Sequence, residues 1–315
     1  MLDILERNWG LEIVGFGRPF HITKKNKSEI FVCDMDHDAV FEVDLGNQRW
    51  RFNNGVNGWS PQKKIKKSAL VTPKILSRKK LWGPHSSSID EHGNVLVICY
   101  YGRTLWKLDS SGYASKTLAD DLLFGPASMS RMDRNIWAIA DYGSNSILWC
   151  DDKFKPVGRL GYVDGKFSYL HKLNIQFDAS GSKGALDRVH MISAFEDGRF
   201  LVADSWNNRL LLSEVSLADS IYNSSLSSDG QESSLVEYEG FDVPVSVDIN
   251  PQGEVLVASW NDSQITFLDN KFRRFSLDCP VDLKRPYHAI FDNESVFIVD
   301  SHNSRVLFVE RPNFI

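Results

Sequence analysis

Six times along its 315 residues the chain runs through one phrase: a proline, a short apolar run, a turn, a second apolar run closing on an aspartate or its substitute, then a polar loop. The units begin near residues 18, 83, 125, 187, 243 and 285. Pro19, Pro84, Pro126, Pro244 and Pro286 open five of them, and Arg188 stands for the proline in the fourth; the spacings are 65, 42, 62, 56 and 42. A second landmark ends the second run at Asp34, Cys99, Asp141, Asp204, Ser259 and Asp300, with spacings of 65, 42, 63, 55 and 41. Two landmarks that drift together mark real units with insertions between them.

Each unit is built of strand-length runs of Val, Ile, Leu, Phe and Trp, broken by turns such as DEHGN, EDG and NPQG. No stretch keeps a helical period over three turns. Radially repeated four-stranded units solve the problem of unpaired sheet edges by forming a ring. The fold class is therefore all-β: a single domain over 1–315, a six-bladed β-propeller of four-stranded antiparallel blades. The leading run at 11–17 has no earlier strand to pair with, and is expected to supply the outer strand of blade six and close the ring.

A net charge of -5 and a pI of 5.9 point against a nucleic-acid coat. The N-terminus lacks the basic and apolar regions of a signal peptide, and no apolar run is long enough to cross a bilayer. A cytoplasmic protein without membrane contact is expected. Cys33, Cys99, Cys150 and Cys279 show no metal-binding or redox spacing and read as reduced thiols.

Three connections are enlarged: Asn53 to Trp82, Gly158 to Asp187, and Ser216 to Asp242. All three are expected on the face, here called the top, where each innermost strand starts. The first carries Lys63, Lys64, Lys66, Lys67, Lys74, Arg78, Lys79 and Lys80; the third carries Asp219, Asp229, Glu232, Glu237 and Glu239. They read either as solvated loops or as a polarised lid or partner surface.

Two residues after each proline, the inner strands present His21, Ser86, Ser128, His190, Ser246 and His288, all facing the channel mouth in this alignment. Three neutral imidazoles converging on one axis suit a zinc or similar divalent ion, with a position left open for water or substrate. They equally suit acid–base catalysis near neutral pH, or a wet channel wall. His21, His190 and His288 are thus the candidate catalytic and metal-binding residues, with His85 beside them as a supporting partner. Arg18, Arg285, Tyr101, Arg103, Trp206, Trp260 and His302 are the candidate substrate-binding residues, and Asp36, His37, Tyr100, Tyr142, Asn207, Asn261 and Asn303 should crowd the same mouth. Aromatic faces and arginines suit a small polar or anionic molecule, sugar-like or carboxylated. Asp204 with Arg209, and Asp300 with Arg305, read as structural pairs. No GxSxG, Walker, HExxH or Rossmann motif is present, so no nucleotide cofactor is expected.

The runs VADSWNNRLLL (from Val202) and IVDSHNSRVLFV (from Ile298) resemble the NHL repeat, whose hallmark is AD-x-x-N-x-R. RLGYVDGKF (from Arg159) echoes that family's inter-blade linker. The resemblance covers nearly the whole chain and implies a propeller; its members include scaffolds and enzymes alike. Among them, the peptidyl-amidoglycolate lyase type is similar in its three channel histidines, which implies a zinc-dependent lyase or hydrolase with His21, His190 and His288 as ligands. That family is secretory and disulfide-bonded, unlike this chain, so the resemblance does not carry its substrate. The gluconolactonase type uses acidic metal ligands, which this ring lacks. The alternative is a non-catalytic module that binds a protein or RNA partner on its top face.

Overall fold

The structure, a computed structural model, describes residues 2–56, 58–64, 80–118, 121–133, 135–163, 166–170, 185–214, 216, 231–232, 235–310 and 313–315. Among them are six antiparallel sheets, three single 3-10 turns and no α-helix. The sheets are the six blades of a propeller. Blade one is Pro19–Lys24, Glu29–Asp34, Ala39–Asp44 and Arg49–Asn53, and the others repeat this order. No described helix is long and apolar enough to cross a membrane.

The second strands Val95–Cys99, Phe200–Asp204 and Val255–Ser259 are buried along their whole length. Their sequence does not alternate because a neighbouring blade covers each face. The hydrophobic core accordingly falls into six clusters, each shared by two adjacent blades. One joins Trp149 and Ala138 of blade three to Phe200 and Val202 of blade four. Another joins Phe297 and Val306 of blade six to Ile22 and Phe41 of blade one.

Ring closure is non-covalent. Gly10–Val14 pairs with Arg305–Val309 as the fourth strand of blade six, and Asp3–Arg7 adds a fifth. The closing strand thus starts one residue earlier and ends three residues sooner than the run 11–17. Gly10 has φ +141, and a Cβ there would lie 2.0 Å from the Phe308 carbonyl oxygen, so a side chain has no room at this crossing. Outer strands are also added elsewhere: Lys63–Lys64 on blade one, Asn313–Phe314 on blade five, and Lys166–Leu170 followed by Gln231–Glu232 on blade three.

Polar latches fasten the blades at the top. The residue after each strand-two-to-three loop has left-handed φ: Asp38, Arg103, Asn145, Asn208, Ser263 and Ser304. Five of them bond the residue that leads into the next blade: Gly83 N–H to Asp38, Arg188 N–H to Asn145, Val243 N–H to Asn208, Arg285 N–H to Ser263, and the Ser304 hydroxyl to the Gly17 carbonyl. Arg103 Nε reaches the Leu123 carbonyl at the remaining junction. Below four of the latches sits a buried aspartate, Asp34, Asp141, Asp204 or Asp300; Cys99 and Ser259 hold the place in blades two and five. Asp204 accepts from Asp187 N–H at 2.8 Å, Asn207 Nδ2 at 2.9 Å and Arg209 Nε at 2.7 Å. Asp300 repeats this with Lys284 N–H, Asn303 and Arg305. In blade one His37 takes the arginine's place against Asp34, at 2.7 Å. Asp204→Ala would strand the Arg209 guanidinium without its buried partner, and a stability loss of about 3–5 kcal/mol is expected in urea unfolding; a loss below about 1 kcal/mol would deny the carboxylate its locking role.

The acidic insertion departs from expectation. Leu235–Glu239 pairs with Arg209–Ser213 as strand four of blade four, so the insertion joins strands three and four and is not a connection between blades. Ser216 lies against Gly198, in the strand-one-to-two turn on the face away from the mouth. Part of the basic insertion is used up as the edge strand Lys63–Lys64, whose Lys63 ammonium lies 5.1 Å from the Trp50 ring. Lys66, Lys67, Lys74, Arg78, Lys79, Asp219 and Asp229 lie outside the described residues.

Candidate functional site

A one-residue bulge opens the innermost strands. The pairing shifts between Pro19 and His21, Pro84 and Ser86, Pro126 and Ser128, Val189 and Met191, and Pro244 and Ser246. In blade six Tyr287 occupies the corresponding place, its N–H on the Val299 carbonyl, just before the pair His288–Val299. Each blade therefore offers two neighbouring side chains near the channel mouth. The bulge residues are Phe20, His85, Ala127, His190, Val245 and Tyr287. The following positions are His21, Ser86, Ser128, Met191, Ser246 and His288. Blade four is thus one residue out of the sequence alignment: Val189 replaces the proline, and His190 belongs with Phe20 and Tyr287, not with His21 and His288.

The two sets have different surroundings. The second set serves the fold. His288 Nδ1 accepts the Ile22 N–H of blade one at 3.3 Å, and His21 Nδ1 accepts the Ser87 N–H of blade two at 3.4 Å. Ser86 does the same for Met129 N–H, and Ser246 for Ala289 N–H. Innermost strands are sheet edges with unpaired N–H groups, and these side chains satisfy them across the gap between blades. The His21 and His288 rings stack with centroids 4.0 Å apart. Burial holds both well below the usual imidazole range, His288 at about 3, and His288 further depresses His21.

Metal ligation finds no support in this arrangement. His21 and His288 spend Nδ1 on the main chain. His190 engages both its nitrogens on other groups and sits in the other set. Among the described residues no three His, Cys, Asp or Glu side chains are grouped to hold an ion. The three histidines do not fit a shared metal.

The bulge set builds a cavity of about 270 Å³ at the mouth. Its walls are Phe20, His85, His190, Val245 and Tyr287, with Met35, Tyr100, Tyr101, Tyr142, Trp206, Trp260 and His302 from the strand-two-to-three loops and Arg18 and Val243 from the lead-ins. The rings support one another: Phe20 lies 4.0 Å from Tyr287 and 4.7 Å from His85, and Tyr142 meets His190 edge-on at 4.8 Å.

Hydrogen bonds assign the tautomers. His190 Nδ1 faces the Arg188 carbonyl at 3.1 Å and Ser205 Oγ at 2.8 Å, while Ser205 spends its own proton on the Pro244 carbonyl. Nδ1 therefore carries the hydrogen, and Nε2 accepts the Tyr287 hydroxyl at 3.0 Å. His85 Nδ1 donates to the Ala127 carbonyl at 2.6 Å, which leaves a lone pair on Nε2 with no hydrogen-bond partner among the described residues. Burial lowers His85 to about 4 and His190 to about 3, so both are neutral at pH 7; Arg18 adds to the first shift, and His85 and Arg188 to the second. Burial also raises the Tyr287 phenol well above its usual value, so it keeps its proton.

Of the residues expected to bind substrate, Arg18, Tyr101, Trp206, Trp260 and His302 line this cavity. Arg285 flanks it, stacked 4.1 Å from the Trp260 ring. Arg103 is turned toward the junction of blades two and three, over Phe124. His37, Asn207 and Asn303 are consumed by the buried aspartates. The sequence reading gave no place to Tyr287 or Phe20 and gave His85 only a supporting one, because it counted two residues past the proline and the bulge puts the wall one residue past.

No family model matches the sequence, and no curated protein matches it. Solved structures do. Streptogramin B lyase aligns over 100% of this chain and 98% of its own, with a TM-score of 0.60 and 12% identity. A catalytically inactive histidine-to-alanine variant of virginiamycin B lyase from Staphylococcus aureus, solved with quinupristin, aligns over 98% and 99%, with a TM-score of 0.60 and 9% identity. The WD40 β-propeller domain of Doa1 aligns over 96% of both chains, with a TM-score of 0.57 and 11% identity. At such identities the likeness is one of fold, and it spans enzymes and a WD40 domain alike.

Proposed function

We propose that the chain is an enzyme of lyase or hydrolase type, acting on a small molecule in the mouth cavity by acid–base catalysis. One observation carries this: on one aromatic wall a neutral imidazole, His85, keeps an open Nε2 lone pair, while its neighbour His190 takes up the Tyr287 hydroxyl proton in a hydrogen bond on Nε2. In an elimination, His85 takes the proton from the substrate carbon, the electron pair forms the new double bond, and the leaving group departs with the proton now on His85. Tyr287 walls the cavity with its hydroxyl directed at His190. His190 orients that phenol, fixed in turn by Ser205 and the Pro244 carbonyl. A positioned acid–base group of this sort contributes about 10²–10⁴-fold.

NHL-type blades are part of the same proposal, supported by the work each letter of Ala203-Asp204-x-x-Asn207-x-Arg209 does around the buried aspartate. A second reading, a partner-binding top face, is favoured by the exposed Trp82, Tyr101, Phe124 and Trp206, each about half accessible.

The test is a turnover screen by mass spectrometry, with quinupristin as the first compound and a metabolite extract as the second. Compounds consumed by the wild type should survive with His85→Gln, kcat falling by about 10²-fold or more with the fold intact. Consumption at wild-type rate by His85→Gln would overturn the acid–base assignment. A protein captured equally by wild type and His85→Gln, and lost on Trp206→Ala, would support the partner face instead.

A further inference from the structure

The chain has more acids than bases, 41 against 36, yet among the described residues no carboxylate, carboxamide or Ser/Thr hydroxyl lines the mouth cavity. Its polar wall is guanidinium, imidazole, phenol and indole. A sugar site needs side chains that both give and accept hydrogen bonds around a ring of hydroxyls. This wall is rich in donors and flat apolar faces instead.

The charge on the rim has a structural origin. The residue immediately before the proline position of the inner strand is arginine in three blades: Arg18 before Pro19, Arg188 before Val189 and Arg285 before Pro286. Arg188 and Arg285 hold this place with left-handed backbone, φ 55 and 50. Each lies over an indole, Arg188 4.2 Å from the Trp206 ring centre and Arg285 4.1 Å from the Trp260 ring centre. Among the described residues neither has a carboxylate within salt-bridge distance, whereas Arg18 is paired with Asp36 at 3.0 Å. Stacking fixes a guanidinium's plane and leaves its N–H edge free to bind an oxyanion at two points. Arg285 and Arg18 both act electrostatically on His302, which places the three on one side of the mouth.

We propose that the mouth cavity takes a flat, apolar molecule bearing a carboxylate, with its ring between the aromatic walls and its carboxylate on Arg285 beside Arg18 and His302. The proposal rests on reading this cavity as the ligand site, and it narrows the substrate class from sugar-like or carboxylated to carboxylated. It also completes the acid–base assignment. An anion in the cavity favours the charged imidazolium, so substrate binding would lift His85 from its depressed value toward the range where a base is effective.

The experiment is calorimetric titration of the full chain with 2-naphthoate and 2-naphthamide, which share a body and differ in charge. The carboxylate should bind about ten-fold or more tightly than the amide, and its advantage should shrink with added salt. Arg285→Gln should remove most of that advantage while the amide affinity and the Tm hold; Arg285→Lys should keep part of it. Equal or tighter binding of the amide, no binding of either compound, or an unchanged preference in a folded Arg285→Gln would overturn the proposal. Repeating the titration with His85→Gln separates the two assignments. Retained carboxylate preference without any turnover activity in the wild type sinks the acid–base reading alone. Turnover of only neutral compounds sinks the carboxylate alone.

Discussion

Between pH 7 and pH 5 the protein is expected to lose most of its stability, because four imidazoles are held neutral inside it. His21, His85, His190 and His288 are each less than 9% exposed, and all have folded pKa values below the unfolded 6.5, about 4 for His85 and about 3 for His190 and His288. Below 6.5 the unfolded chain binds protons that the folded chain refuses, so stability falls with pH until the folded values are reached. Linkage gives about 2 kcal/mol per histidine at pH 5 relative to pH 7, so about 6 kcal/mol for His85, His190 and His288, with His21 acting in the same direction. Asp248 works in the opposite direction. Burial raises its carboxyl to about 6, so the folded chain takes up that proton first and regains about 1 kcal/mol. The remaining loss is of the order of a domain's whole stability. Urea unfolding at pH 7, 6 and 5 measures it directly, and His288→Gln should reduce the proton uptake on unfolding by one. A midpoint unchanged from pH 7 to pH 5 would mean that these imidazoles are not kept neutral.

Deleting residues 2–14 should abolish cooperative folding. The segment buries Leu2, Ile4 and Ile13, and it supplies both outer strands of blade six. It also supplies Glu12, which accepts from Arg305 at 2.9 Å. Without it, Arg305–Glu310 becomes an open edge, and the cluster between blades six and one loses one of its sides. The deleted chain should sediment as aggregates and show no urea transition. Addition of a peptide of residues 2–14 during refolding should restore soluble ring. A deleted chain that melts at the wild-type midpoint would show that the closing strand is dispensable.

The ring architecture was legible because two landmarks repeat in step. Blade four has no proline, and an alignment on Arg188 conflicts with the second-landmark spacings of 63 and 55, which fit Val189. That single residue produced a histidine triad that the structure does not contain. The site was less legible than the fold because a bulge is a main-chain event. Nothing in Pro-Phe-His or Pro-His-Ser states which side chain turns to the mouth. The acidic insertion was misplaced for a related reason: Leu235–Glu239 reads equally well as a connection or as a fourth strand until its partner is known.

The inner-strand bulge has a consequence for how such a molecule can change. Phe20, His85, Ala127, His190, Val245 and Tyr287 stand outside the regular strand register, whereas the residues after them include the histidines and serines that tie blade to blade. Exchange at the first kind of position alters what the mouth recognises at little expense to the ring; exchange at the second kind loosens the ring. Six adjacent pairs thus divide the inner strands between a wheel that must be kept and a lock that can be exchanged. A library confined to the six bulge positions should yield folded proteins with altered ligands far more often than one confined to their neighbours.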